Sequence, residues 1–132
     1  MKLTNKSHYA IKAMLDLAIH TKIKGTCVNL SDISYRQIIS LPYLEEIFSN
    51  LRKAKLVYGI RGHNGGYKLS KLPNELSITE IIKAVEDPTY FVGCNSGNNQ
   101  SVCLTNYLWL DLTEHIEQYF FKYTLADLIR KM

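Results

Sequence analysis

The 132 residues predict a mainly α-helical fold with one small β-hairpin, a winged helix-turn-helix carrying a long C-terminal helix. Three stretches predict it. Residues 30–53 read as a short helix, a tight turn and a longer helix. Residues 56–70 read as two short strands around a glycine-rich tip. Residues 104–122 read as one long, strongly apolar helix. The order of two helices and then a basic hairpin is the signature of a winged helix, which most often serves to set one helix into the major groove of DNA.

A first helix is expected from Asn5 to about His20. Ala10, Ala13, Met14, Leu17 and Ala18 recur at i, i+3, i+4 spacing, and Ile11 and Leu15 widen that face. Asn5, His8, Lys12, Asp16 and His20 form the opposite, polar stripe. A loop follows at Lys24-Gly25-Thr26. Leu30 to Gln37 gives the second helix, with Ser31 as its expected cap, and Ile38-Ile39 the turn. The third helix starts at Ser40 and carries Pro42 in its first turn, where the missing N–H costs little. Leu44, Ile47, Phe48 and Leu51 form its core stripe, leaving Pro42, Tyr43, Glu45, Glu46, Ser49, Arg52 and Lys53 outside it. Strands at 56–61 and 67–70 flank the tip Gly62-His63-Asn64-Gly65-Gly66. Ser77 and Glu80 make a capping box for a helix that Asp87-Pro88 ends, and Thr124 to Asp127 makes another.

These elements set the domain boundaries. Residues 1–86 form the winged helix-turn-helix, with the two-helix unit at about 30–55 and the wing at about 56–70. Residues 87–103 form a loop rich in Asn, Ser and Gly that contains Cys94 and Cys103. Residues 104–132 hold the long helix and a short final one. Leu108, Leu112, Ile116, Tyr119, Phe120 and Tyr123 cover more of that long helix than one small domain can bury, so a partner helix is expected and the chain reads as a homodimer.

Charge divides along the same lines. Residues 1–71 carry twelve Lys and Arg against four Asp and Glu, a net +8, whereas residues 72–132 carry a net −4. One half is therefore suited to a polyanion, and double-stranded DNA is the expected partner. No apolar run approaches the roughly 20 residues of a bilayer span. Met1 to Lys6 has no apolar region behind its lysines, so neither a signal peptide nor a membrane partner is expected, and the localisation expected is cytoplasmic. Three cysteines close no disulfide framework, and metal or redox chemistry is the more natural use of thiols in a reducing compartment. Cys27 reads as a small buried hydrophobe.

The expected DNA contacts follow from position. Ser40, Pro42, Tyr43, Glu45 and Ser49 lie where the recognition helix meets base edges, and Glu45 is the sharpest because a carboxylate accepts from the cytosine amino group. Arg36, Arg52 and Lys53 are the expected phosphate clamps. On the wing, Arg61 and His63 sit among glycines, and Arg61 is suited to a narrow minor groove. A phosphate-binding loop for a nucleotide is excluded, since the Gly-Lys-Ser/Thr ending is missing. No nucleophile–base pair, paired carboxylates or cofactor fingerprint points to an enzyme. Cys94 and Cys103, eight residues of loop between them, are candidate ligands for a soft metal or an iron–sulfur cluster, and equally two incidental cysteines.

Together these residues resemble the IscR/NsrR-type family of winged-helix regulators, over nearly the whole chain. The resemblance rests on Met1 to Thr4, Ala13 to Asp16, Ile39 to Glu45, Phe48 to Lys53, Arg61-Gly62, Gly65 to Tyr67 and Cys103 to Trp109, and the IscR branch is nearest. It implies DNA-binding homodimers with crossing C-terminal helices, and a cysteine loop that holds an iron–sulfur cluster, 2Fe–2S above all. It also implies repression, with activation at some promoters, of iron–sulfur biogenesis or redox-stress genes, and contact with iron–sulfur assembly proteins. The chain departs from the IscR pattern at the loop. The middle cysteine is missing, and Asn106 stands where a histidine would follow the last one. Some members of the family complete the cluster from the first helix of the other subunit, at the position that His8 occupies here. The resemblance thus implies Cys94, Cys103 and His8 as metal ligands. Two other functions stay open: a cluster-independent repressor controlled by a protein partner or a Cys94–Cys103 disulfide, and an iron–sulfur carrier or assembly protein.

Overall fold

A computed structural model describes residues 4–86 and 105–131. Among these described residues, six α-helices and one two-stranded antiparallel sheet run in the order α1 (Asn5–Lys24), α2 (Leu30–Gln37), α3 (Leu41–Lys53), β1 (Val57–Ile60), β2 (Gly66–Leu69), α4 (Ile78–Val85), α5 (Asn106–Phe121) and α6 (Leu125–Arg130), with a 3₁₀ turn at Pro73–Glu75. Among the described residues no helix is long and apolar enough to cross a membrane.

The periodic residues of α1 and α3 meet in one core. Ala10, Ala13, Met14 and Leu17 of α1 pack with Ile33 of α2, with Leu44, Ile47, Phe48 and Leu51 of α3, and with Ile81 and Ile82 of α4, all without solvent exposure. The C-terminal segment closes this core. Leu125 is fully buried, its N–H donates to the Leu76 carbonyl at 3.0 Å, and the Ile78 N–H donates to the Tyr123 carbonyl at 2.9 Å. Both expected capping boxes are present, at Ser77/Glu80 and Thr124/Asp127.

Three local expectations change. Helix α1 runs one turn beyond His20, because Gly25 supplies the left-handed residue (φ 69°) that ends it, its N–H bonded to the Thr21 carbonyl at 2.8 Å. The cap of α2 is Asn29, not Ser31: the Asn29 carboxamide oxygen accepts from the Asp32 N–H at 2.8 Å. Asp16 is not on a solvated stripe but buried, for a reason that belongs to the site below.

The hairpin pairs Val57 with Leu69 and Ile60 with Gly66. A second tether fixes it to the head. Val28 and Tyr67 exchange both backbone hydrogen bonds, at 3.0 and 2.8 Å, so the segment before α2 acts as a one-residue third strand. A Cβ at Gly66 would run into the Val28 carbonyl, so this closeness requires glycine there. The Tyr67 ring then packs on Phe48, with centroids 5.0 Å apart, locking the wing to the third helix.

Candidate nucleic-acid interface

Helix α3 buries one stripe and leaves the rest of its circumference for other contacts. At 100° per residue, Pro42, Glu46, Ser49 and Lys53 lie opposite the buried stripe, with Glu45 and Arg52 on one flank. Pro42, Glu45, Arg52 and Lys53 are exposed and Ser49 is half-buried. Ser40 occupies the cap position and is exposed, but its hydroxyl makes no capping bond, so α3 starts on the Pro42 turn alone. Tyr43 is on the other flank. Its ring stands edge-on to Tyr9 of α1, with centroids 5.7 Å apart, and burial, helped by Glu46, pushes its hydroxyl above the ordinary tyrosine range. Glu46 is also tied to α1, through Lys6 at 3.1 Å.

The wing presents Arg61 and His63 to solvent at its tip, where Gly62 takes up a positive φ of 118°. The Cys27 thiol, half-buried, donates to the Asn64 carbonyl at 3.1 Å and so braces that tip. Glu45, Arg52, Lys53, Arg61 and His63 make no ion pair among the described residues. The cations left without internal partners there, Arg52 and Lys53 on the helix and Arg61 on the adjacent hairpin, suit an external polyanion.

Arg36 is placed differently. Its Nε and Nη2 donate to the two oxygens of Asp16 at 3.0 and 2.8 Å, and Gln37 Nε2 adds a third bond at 2.8 Å. His20, one turn along α1, lies 3.4 Å from the same carboxylate. Burial alone would raise the Asp16 carboxyl, but the bonds from Arg36 and Gln37 and the charges of Arg36 and His20 outweigh it and hold the group below the usual range. The fork fixes the C-terminal end of α2 to α1 and thereby sets the start of the turn into α3. Sequence reading missed this. Periodicity puts Asp16 on the polar stripe of α1, and nothing local shows that α2 packs against that side and buries it.

The turn itself holds a second unforeseen feature. Ile38 is in the left-handed region (φ 56°, ψ 53°), a conformation that costs a β-branched residue on the order of 1–3 kcal/mol. Ser34 stabilises it by donating from its hydroxyl to the Ile39 carbonyl at 2.5 Å and accepting the Ile39 N–H at 3.2 Å. Ile38 and Tyr35 are consequently 90% and 87% exposed, an apolar pair beside the start of α3.

The expected metal ligands divide. Cys94 and Cys103 lie outside the described residues. His8 is exposed on the first turns of α1, with the Tyr9 ring beside it, at 5.9 Å between centroids. Among the described residues no three His, Cys, Asp or Glu side chains gather as a metal site. Glu86, the last described residue before Cys94, is nevertheless tied to that same end of α1: it accepts from the Thr4 hydroxyl at 2.9 Å and from the Ser7 hydroxyl. The first turns of α1 therefore touch α3 through Lys6 and Tyr9, and Glu86 through Thr4 and Ser7.

Comparison with known proteins settles the class. Residues 3–131 match Rrf2, described as an iron-dependent transcriptional regulator. The chain belongs to the Rrf2 family. Among Rrf2 relatives, the HTH-type transcriptional regulator IscR of Yersinia pseudotuberculosis is 44% identical over 135 residues, covering 98% of this chain and 79% of that protein. Two solved Rrf2-like structures superpose along the chain. T. potens IscR gives a TM-score of 0.78 at 34% identity, covering 99% of this chain and 88% of its own. CymR, the global cysteine regulator of B. subtilis, gives 0.78 at 29% identity, covering 100% and 98%. This Rrf2 chain is a transcriptional regulator and not an enzyme, and its winged-helix fold is the one the sequence predicts.

Proposed function

We propose that the protein is a cytoplasmic homodimer that binds pseudo-palindromic DNA and represses, or at some promoters activates, genes of iron–sulfur biogenesis or redox stress. The observation that carries this reading is the set of internally unpartnered cations, Arg52 and Lys53 on α3 and Arg61 on the wing. Ser40, Pro42, Glu45 and Ser49 face base edges, with Tyr43 at the margin. Arg52 and Lys53 hold phosphate, and Arg61 and His63 reach the flanking groove. Arg36 acts at one remove, by fixing α2 against α1.

Two substitutions test it by separating affinity from specificity. Arg61→Ala is expected to weaken binding to all sequences alike and to lower the salt slope by about one ion. Glu45→Ala is expected to keep overall affinity but lose roughly 1–3 kcal/mol of discrimination at one position in each half-site. Competition against a randomised DNA pool reads both, and an unchanged base preference in the Glu45 variant would remove that residue from the groove.

The cofactor reading rests on the donor set. Cys94 and Cys103 supply two thiolates, half of the usual four ligands. His8 is exposed at the end of α1 that holds Glu86, and it fits as a third donor when it comes from the other subunit of the dimer. A bound cluster would supply a redox-responsive group there, delivered by iron–sulfur assembly proteins. The contacts of Thr4, Ser7, Lys6 and Tyr9 would carry a change at Glu86 to α3. Anaerobic reconstitution is expected to fail in Cys94→Ala and Cys103→Ala, and to give a more labile, pH-sensitive cluster in His8→Ala. Identical iron content and loss rates in His8→Ala and the parent would make His8 a surface residue. The short donor set also supports a second reading, a repressor governed by a Cys94–Cys103 disulfide or a protein partner. Colourless protein that binds DNA fully after anaerobic purification would favour it.

A further inference from the structure

A cleft of about 760 Å³ opens on the head, between the last turns of α1, the end of β2 with the segment after it, and α6. Ala18, Leu69, Leu72 and Ile129 line it, and Ile23 and Leu72 at its margin are 72% and 62% exposed. Four cationic residues, Lys22, Lys68, Lys71 and Arg130, line it too, and among the described residues no acidic one does. Lys71 is paired with Glu80 and Arg130 with Asp127, but Lys22 and Lys68 have no ion-pair partner among the described residues.

We propose that this cleft binds a soluble amphipathic anion, an aliphatic carboxylate whose chain lies on the apolar floor and whose head meets Lys22 and Lys68. The volume is in the range of small-molecule sites, and an apolar floor with a few convergent polar groups is their usual composition. A bare phosphate would use the cations but leave Ile23 and Leu72 uncovered. Because the cleft joins the wing strand to α6, an occupant would bridge the hairpin and the segment that follows α5.

Decanoate serves as the probe, titrated calorimetrically against the full chain without DNA, so the outcome is independent of whether the protein regulates genes. Decanoate is expected to bind, and 1-decanol and inorganic phosphate to bind at least about tenfold more weakly. Lys22→Glu with Lys68→Glu is expected to weaken decanoate about tenfold or more and leave decanol unchanged. Vesicles of an anionic lipid, which present the same chemistry on a surface, are expected not to retain the protein. Retention by vesicles without decanoate binding would overturn the proposal, as would equal affinity for decanoate and phosphate. Absent decanoate binding, together with dissociation to monomers in Ile23→Asp, would assign the cleft to a second copy of the chain.

Discussion

Asp16→Ala is expected to lower the unfolding free energy by about 3 kcal/mol at neutral pH, the scale for breaking a buried ion pair from one side. The side chain of Asp16 has no exposure, and removing it strands Arg36 and Gln37 beside a cavity. The effect has a defined pH dependence. A carboxyl whose folded pKa is lowered contributes stability that is fully present above the ordinary aspartate value, about 4, and is lost as pH falls through the folded value. The variant's deficit should therefore be constant at neutral pH and shrink in acid. Urea denaturation at pH 7 and at pH 3 measures both. Asp16→Leu with Arg36→Met should recover much of the loss, because an apolar pair of similar volume leaves no stranded charge. If Asp16→Ala denatured at the parent's urea midpoint, the fork would not be what fixes α2. The recovered double variant also separates stability from function: with the fold restored, any remaining loss of DNA binding reports on Arg36 itself.

What the sequence disclosed was what periodicity and local chemistry encode. The buried stripes of α1 and α3, the glycine-bent hairpin and both capping boxes follow from residue spacing within one element. What it hid depends on residues distant in the chain. Asp16 and Arg36 are 20 positions apart, and only the packing of α2 on α1 turns a polar residue beside the stripe into a buried acceptor. The Val28–Tyr67 bridge, across 39 positions, likewise has no local signal. Ile38 is a third case: its sequence favours an extended or helical backbone, and the tertiary turn overrides it. In the candidate interface, the exposure of Glu45 and Arg52 was legible because both are off the α3 stripe, and that of Arg61 because it sits at a glycine-rich hairpin tip. The engagement of Arg36 and Tyr43 was not, since each faces a neighbouring helix.

Leu108→Glu with Leu112→Glu is expected to convert the protein to monomers and to weaken binding to a two-half-site DNA by at least about a hundredfold. The two leucines are 59% and 43% exposed within the protomer, one turn apart on α5, and Tyr119 extends the same flank at 56%. The neighbouring face of α5 is already used. Thr79 donates to the Glu117 carbonyl at 2.8 Å, and Phe120 and Tyr123 pack on the core of the head, so Phe120 belongs to the protomer's own interior and not to the free flank. A helix with one flank docked and another left apolar is suited to a second copy of itself. In a two-fold dimer each substitution counts twice, and burying one leucine is worth roughly 1.5–3 kcal/mol, so four buried charges in place of four leucines outweigh any ordinary association energy. Because both positions are solvent-facing in the protomer, the variant should keep its parent's helical content and its affinity for a single half-site. Sedimentation velocity at micromolar concentration, with anisotropy on one-site and two-site duplexes, checks all three. A variant that still sediments as a dimer would move the interface off this flank of α5. A parent protein that sediments as a monomer would remove the homodimer altogether, and with it the donation of His8 across subunits.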